Sequence, residues 1–401
     1  MKKMDEKLEI SSKTGSYYPI LITLVLSGAA ASISSMLSGL LLIDIGETFN
    51  VTVGLAGQMR TFSFIISIIF AFLTSILSMR YDHKLLLQMG LLAYVLSAVG
   101  CYLAPNFSTM VIAFSLTGIG YALVITMTFT MTGLFPQKMR GEAIGLIIAG
   151  SSGSYALGAL IVPYLQSIGG WRFTFIGYML PISMLALTLA SVTVPRRSGS
   201  NENKVQTKIG EAFKVIFSNR SALFSLLGYL LAMVTFQGIL TYNTSFFRKS
   251  FPISIGEASI IMLIAALCYT IGSATAGRIM KRVRRKPLTV VTIMVAGVIM
   301  MLYSGIPIFL ISVGLVCALC YLVGTMDASS TSLILEQIPL YAGVMMSFQR
   351  VVSMVGASIG SGIGGMILTF SSFQLMFLVL GVFGVASAFV FHWLTVDSSH
   401  G

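Results

Sequence analysis

The sequence predicts an all-α polytopic membrane protein, with twelve transmembrane helices in two pseudo-symmetric six-helix bundles. Three observations lead there. Of its 401 residues 56% are hydrophobic and 9% charged, with mean hydropathy +0.92, where a soluble domain carries roughly a quarter charged residues. The longest polar stretch, 195–220, falls in the middle of the chain and reads as a joint between two apolar halves. The halves are also copies of one another. Adding 202 to each number carries Ser75…Lys84 onto Gly277…Lys286, Gly141 onto Gly343, Gly158 onto Gly360, Trp171 onto Phe373 and Phe175 onto Phe377. One offset that fits landmarks from 75 to 175 marks an internal repeat.

At about 20 residues per crossing, the apolar runs give spans at 19–44, 53–79, 84–104, 107–135, 143–167, 172–194, 221–246, 256–280, 287–304, 306–335, 343–370 and 373–395. The expected organisation is a tail at 1–18, a first bundle at 19–194, a linker at 195–220, a second bundle at 221–395 and a tail at 396–401. The net charge of +12 does not imply a nucleic-acid partner, because of where the cations sit. Twenty of the 25 Lys and Arg residues fall in the termini, the linker and the turns on that side; Arg172, Arg248 and Lys249 lie on the other, and Arg60 and Arg350 lie inside spans. By the positive-inside rule the termini and linker are expected in the cytosol, with the spans in the cell membrane.

Span 1 is rich in Ser32, Ser34, Ser35 and Ser38 and ends near Asp44. Span 2 opens with Gln58 and Arg60. An Arg about one turn inside the bilayer snorkels or is paired, and Asp44 lies at a comparable depth; the two read either as structural groups or as a gating pair. The turn after span 2 carries Arg80, Asp82, His83 and Lys84, and its copy carries Gly277, Arg282, Arg285 and Lys286. In span 5, Gly150, Ser154 and Gly158 recur every four residues, and in span 11 Gly356, Gly360 and Gly364 do the same. Such ridges let helices approach closely or slide. The linker places apolar residues at 209, 213, 216 and 217, which suits either a helix on the membrane surface or a plain spacer.

Span 7 offers Tyr229, Met233, Phe236, Gln237, Thr241, Tyr242 and Asn243, with no charge before Arg248; span 4 offers Tyr121 and span 10 Tyr321. Asp327 in span 10 and Arg350 in span 11 sit at similar depths on consecutive antiparallel helices, on the order of 10–14 Å from one face. An unpaired charge there costs at least about 3 kcal/mol, so the two are expected to pair, as a permanent brace or as a group that protonates during transport. Cys317 and Cys320 lack a second Cys pair or a His beside them and read as two small core residues rather than a zinc site. His83, His392 and His400 all lie at or near span ends, and no phosphate-binding loop is present. Neither an enzyme nor a cofactor is expected.

The basic turn repeated after spans 2 and 8, Thr117-Gly118-Ile-Gly120 in span 4, the Pro136…Arg140-Gly141 turn before span 5 and Gly170-Trp171-Arg172-x-x-Phe175 at the start of span 6 together resemble the major facilitator superfamily, over essentially the whole chain. The family's turn reads roughly G-x-x-x-D-R-x-G-R-K; Met79 and Lys281 stand where its acid would be, with Asp82 an obvious substitute. Phe114 stands where proton-linked branches carry an Arg in span 4, and span 5 lacks the Gly-Pro of drug antiporters. The resemblance implies the major facilitator fold, a cavity lined by spans 1, 4, 7 and 10, and two bundles that rock about it. The pattern looks most like the drug-efflux and sugar-efflux branch. It implies a monomeric secondary transporter exporting neutral or amphipathic small molecules in exchange for protons. Nutrient uptake or facilitated passage is the alternative, and a non-transporting membrane sensor a remoter one.

Overall fold

The computed structural model describes residues 2–195, 214–303, 305–306 and 308–396. The linker from 196 to 213 and the tail from 397 lie outside the described residues, so of the expected surface helix only 214–218, which is helical, belongs to the description. All regular structure among the described residues is helical. Span 1 is the helix Lys2–Leu40 followed by a short helix, Leu42–Phe49, which Asn50 closes in the left-handed region. The first residues, expected as a tail, thus continue the helix of span 1. Spans 2 to 4 are Val53–Arg80, His83–Leu103 and Phe107–Met131; spans 7 to 12 are Arg220–Ser250, Ile255–Ile279, Arg285–Tyr303, Phe309–Gln337, Ala342–Phe370 and Phe373–Leu394.

Spans 5 and 6 run together as one 55-residue apolar stretch, Met139–Thr193, more than twice what a crossing needs. The stretch breaks at Gly169 and Gly170, where Gly170 has φ 70° and ψ −179°. That backbone region is open only to glycine. The Gly-Gly pair therefore makes the turn between two passes, and the eleven apolar stretches amount to twelve spans. Turn residues start the helices. Asp82, Asn106, Asn219, Ser254 and Ser372 each accept from a backbone N–H of the first turn, with reciprocal capping boxes at Asn106/Thr109 and Ser254/Glu257. Such caps contribute about 1 kcal/mol each.

The chain divides into two compact units, one of residues 1–37 and 66–200, the other of 38–65 and 201–401. In the first, span 5 lies closely along span 1: Gly150 leaves room for Val25, Gly158 for Met36, and Ser154 Oγ donates to the Ala29 carbonyl at 3.3 Å. In the second, span 11 lies on span 7 in the same manner, with Gly356 and Gly360 against the backbone of Leu230 and Val234. Gly158 and Gly360 are repeat partners, so the repeat extends to packing. It extends to polar contacts as well. Lys84 Nζ donates to the Ser191 carbonyl (2.7 Å) at the end of span 6, and its copy Lys286 donates to the Thr395 carbonyl (2.8 Å) at the end of span 12. Each lysine satisfies a helix C-terminus that has run out of intrahelical donors. Large apolar side chains such as Leu310 (78% exposed) and Phe370 (86%) face outward, as a lipid-facing surface requires.

Candidate functional site

The site begins with a close helix crossing in the second unit. A Cβ at Gly272 in span 8 would collide with the Tyr321 carbonyl, and one at Gly324 in span 10 with the Tyr269 carbonyl. The two glycines thus bring spans 8 and 10 into backbone contact, and Thr325 Oγ1 donates across it to the Gly272 carbonyl at 3.2 Å. Three residues beyond Gly324 stands Asp327. Its Oδ2 accepts from the Tyr269 hydroxyl at 2.5 Å and its Oδ1 from the Tyr229 hydroxyl at 2.8 Å. Tyr269 is held in turn by Phe236, stacked at 5.4 Å with the rings 8° apart. Spans 7, 8 and 10 therefore fix one half-buried carboxylate between two phenols. Span 11 adds Gln349, whose Nε2 donates to Thr331 Oγ1 at 2.6 Å, one turn beyond Asp327.

This arrangement corrects the expected pairing of Asp327 with Arg350. Among the described residues the carboxylate's partners are the two tyrosines, while the Arg350 side chain is exposed. Helical phase explains the difference, because Asp327 looks toward spans 7 and 8 while the neighbour of Arg350, Gln349, is the residue turned toward span 10. Asp44 and Arg60 each have partners that sequence reading missed. Arg248 holds Asp44 by two bonds (2.6 and 3.2 Å), and Arg60 donates to Gln237 (3.3 Å) and lies 5.4 Å over the Phe64 ring.

Two of the expected pathway residues are locked in packing. Tyr242 is fully buried against Gly57 and Gly364 and donates to the Ser361 carbonyl (2.7 Å); Asn243, 1% exposed, joins the Tyr303 hydroxyl (2.7 Å) to Met262. Tyr321 is half-buried beside Thr275 Oγ1 (3.2 Å), and Tyr121 is half-buried in the first unit. Of the turn residues, Arg80 and Arg282 are exposed, Asp82 caps span 3, Lys84 caps span 6, Arg285 pairs with Glu336, and no described residue packs on Gly277. Trp171 is 7% exposed and meets Phe175 edge-on. Arg172 lies over its ring and donates to the Ala104 carbonyl at the end of span 3. Tyr229, Tyr269 and Gln349 carry no sequence signal that ties them to Asp327.

The family model described as Major Facilitator Superfamily matches residues 23–320 and again 225–401. The chain belongs to the Major Facilitator Superfamily. This transporter is similar to two proteins of Bacillus subtilis (strain 168) described as uncharacterized MFS-type transporters. YwfA is 22% identical over 88% of this chain and 87% of its own length, and YceJ 22% identical over 80% and 81%. Among solved structures it resembles a D-xylose-proton symporter (TM-score 0.79, 16% identity, 95% of this chain and 98% of that one) and a mutant form of the nucleoside transporter NupG (0.76, 14%, 93% and 99%). These likenesses show the major facilitator fold, and the family makes the chain a multi-pass membrane transporter rather than an enzyme.

Proposed function

We propose that this transporter is a secondary active exporter that moves small neutral or amphipathic organic solutes by alternating access in exchange for protons. In this reading it works as a monomer in the cell membrane, with both termini and the linker on the cytosolic side. The observation that carries the reading is Asp327 between Tyr229 and Tyr269. It is the one acid lying more than two turns inside a span. The phenols donate hydrogen bonds but bring no positive charge, and a bare carboxylate inside a bilayer costs about 3 kcal/mol. A proton or a cationic group is then what neutralises it, and a site that exchanges one for the other couples them.

The test uses inside-out vesicles holding a proton gradient, challenged with amphipathic and sugar-like compounds while internal pH is followed. A compound that dissipates the gradient only when the transporter is present is the expected result. Asp327→Asn is expected to abolish that response while exchange of a bound neutral solute between the two sides persists. A folded wild-type protein that dissipates no gradient across the panel would sink proton-coupled export. Loss of the folded Asp327→Asn protein would assign the residue to bracing spans 7, 8 and 10.

A further inference from the structure

Gln349 is 4% exposed, and while its Nε2 is bonded to Thr331, its Oε1 has no hydrogen-bond partner among the described residues. A buried acceptor left without a donor bears its desolvation cost uncompensated, so its presence calls for an occupant. The Tyr229 hydroxyl commits its proton to Asp327 at 2.8 Å, and the bond from Gln349 to Thr331 holds the amide one turn along span 10 from that acid. The acceptors at this place are therefore the Asp327 carboxylate, which no cation neutralises among the described residues, and the unpartnered Gln349 Oε1.

From this, and resting on the transport reading above, we infer that Asp327 and Gln349 form the recognition subsite for an organic amine. An ammonium carries three donors and a positive charge, one donor for the carboxylate and one for Gln349 Oε1. The Phe236–Tyr269 stack beside the carboxylate offers aromatic surface to an apolar body and to the cation itself. An alcohol brings a single donor and no charge, and a carboxylate or phosphate solute meets a like charge.

The inference is tested on the purified full-length protein in detergent, by the shift of its unfolding midpoint with 2-phenylethylammonium, 2-phenylethanol or phenylacetate. The ammonium compound alone is expected to raise the midpoint. Gln349→Leu, which keeps the volume and removes the acceptor, is expected to weaken its apparent affinity about tenfold, and Asp327→Asn to erase its advantage over the alcohol. Equal stabilisation by the alcohol, no stabilisation of the wild-type protein by the ammonium compound, or undiminished affinity in Gln349→Leu overturns the subsite. The wild-type comparison stands even where a variant does not fold. Stabilisation by the amine without dissipation of a proton gradient in vesicles upholds the subsite and overturns proton-coupled export.

Discussion

Asp44 and Arg248 meet through two parallel hydrogen bonds, with side chains 13% and 16% exposed. Fork-to-fork geometry of this kind is the stronger form of ion pair, and partial burial protects it from screening. Removing either partner, by Asp44→Asn or Arg248→Gln, is expected to cost about 2 kcal/mol, read as a lower unfolding midpoint. The double variant is expected to cost less than the sum of the two, since the second change removes a group already stripped of its partner; strict additivity would show that the pair contributes nothing. At this scale the sequence marked which residues were out of place in a bilayer, namely Asp44, Arg60, Asp327 and Arg350. It could not name their partners. Arg248 lies 204 positions from Asp44, and two tyrosines in a chain with 15 give no sign that they clasp an acid.

The element that matters most is the crossing of spans 8 and 10. Gly324 and Gly272 are each filled by the other helix's backbone, so a larger residue must push the helices apart. Gly324→Val is expected to cost about 1–3 kcal/mol by overpacking and to lower solute binding at least as much as Tyr269→Phe, because it moves the whole of span 8 away from Asp327. Full binding in Gly324→Val would show that the crossing does not position the site. Lys84 and Lys286 invite a second test. Replacing either with Met removes a bond to a helix-end carbonyl, for an expected loss of about 1 kcal/mol each, additive because the two lie in separate units. The basic turns were legible as charge patterning, and the small-residue faces as close-packing surfaces. That two of the lysines are helix caps was not, because the carbonyls they reach lie about a hundred positions further along.

Over the whole molecule the repeat explains the architecture but not the chemistry. Subtracting 202 from Tyr229, Tyr269, Asp327 and Gln349 arrives at Ser27, Ser67, Ile125 and Ile147. The paired glycines and lysine caps are common to both copies, whereas the acid, its two phenols and the open amide belong to one. Twelve spans and the two-fold repeat could be read from apolar runs and a fixed offset. The extent of the units could not, since residues 38–65 join the second unit through side-chain contacts such as Asp44–Arg248 that no local pattern announces. One further property follows from the placement of the two tryptophans. Trp171, 7% exposed, belongs to the first unit, and Trp393, 74% exposed, to the second. With no other indole in the chain, each half carries one native fluorophore in its own surroundings. Brominated lipids are expected to quench Trp393 and spare Trp171, and Trp393→Phe to remove the quenchable emission. Light emitted from the unlabelled transporter can then be sorted by half, so that what a solute does to one copy of the repeat is seen apart from what it does to the other.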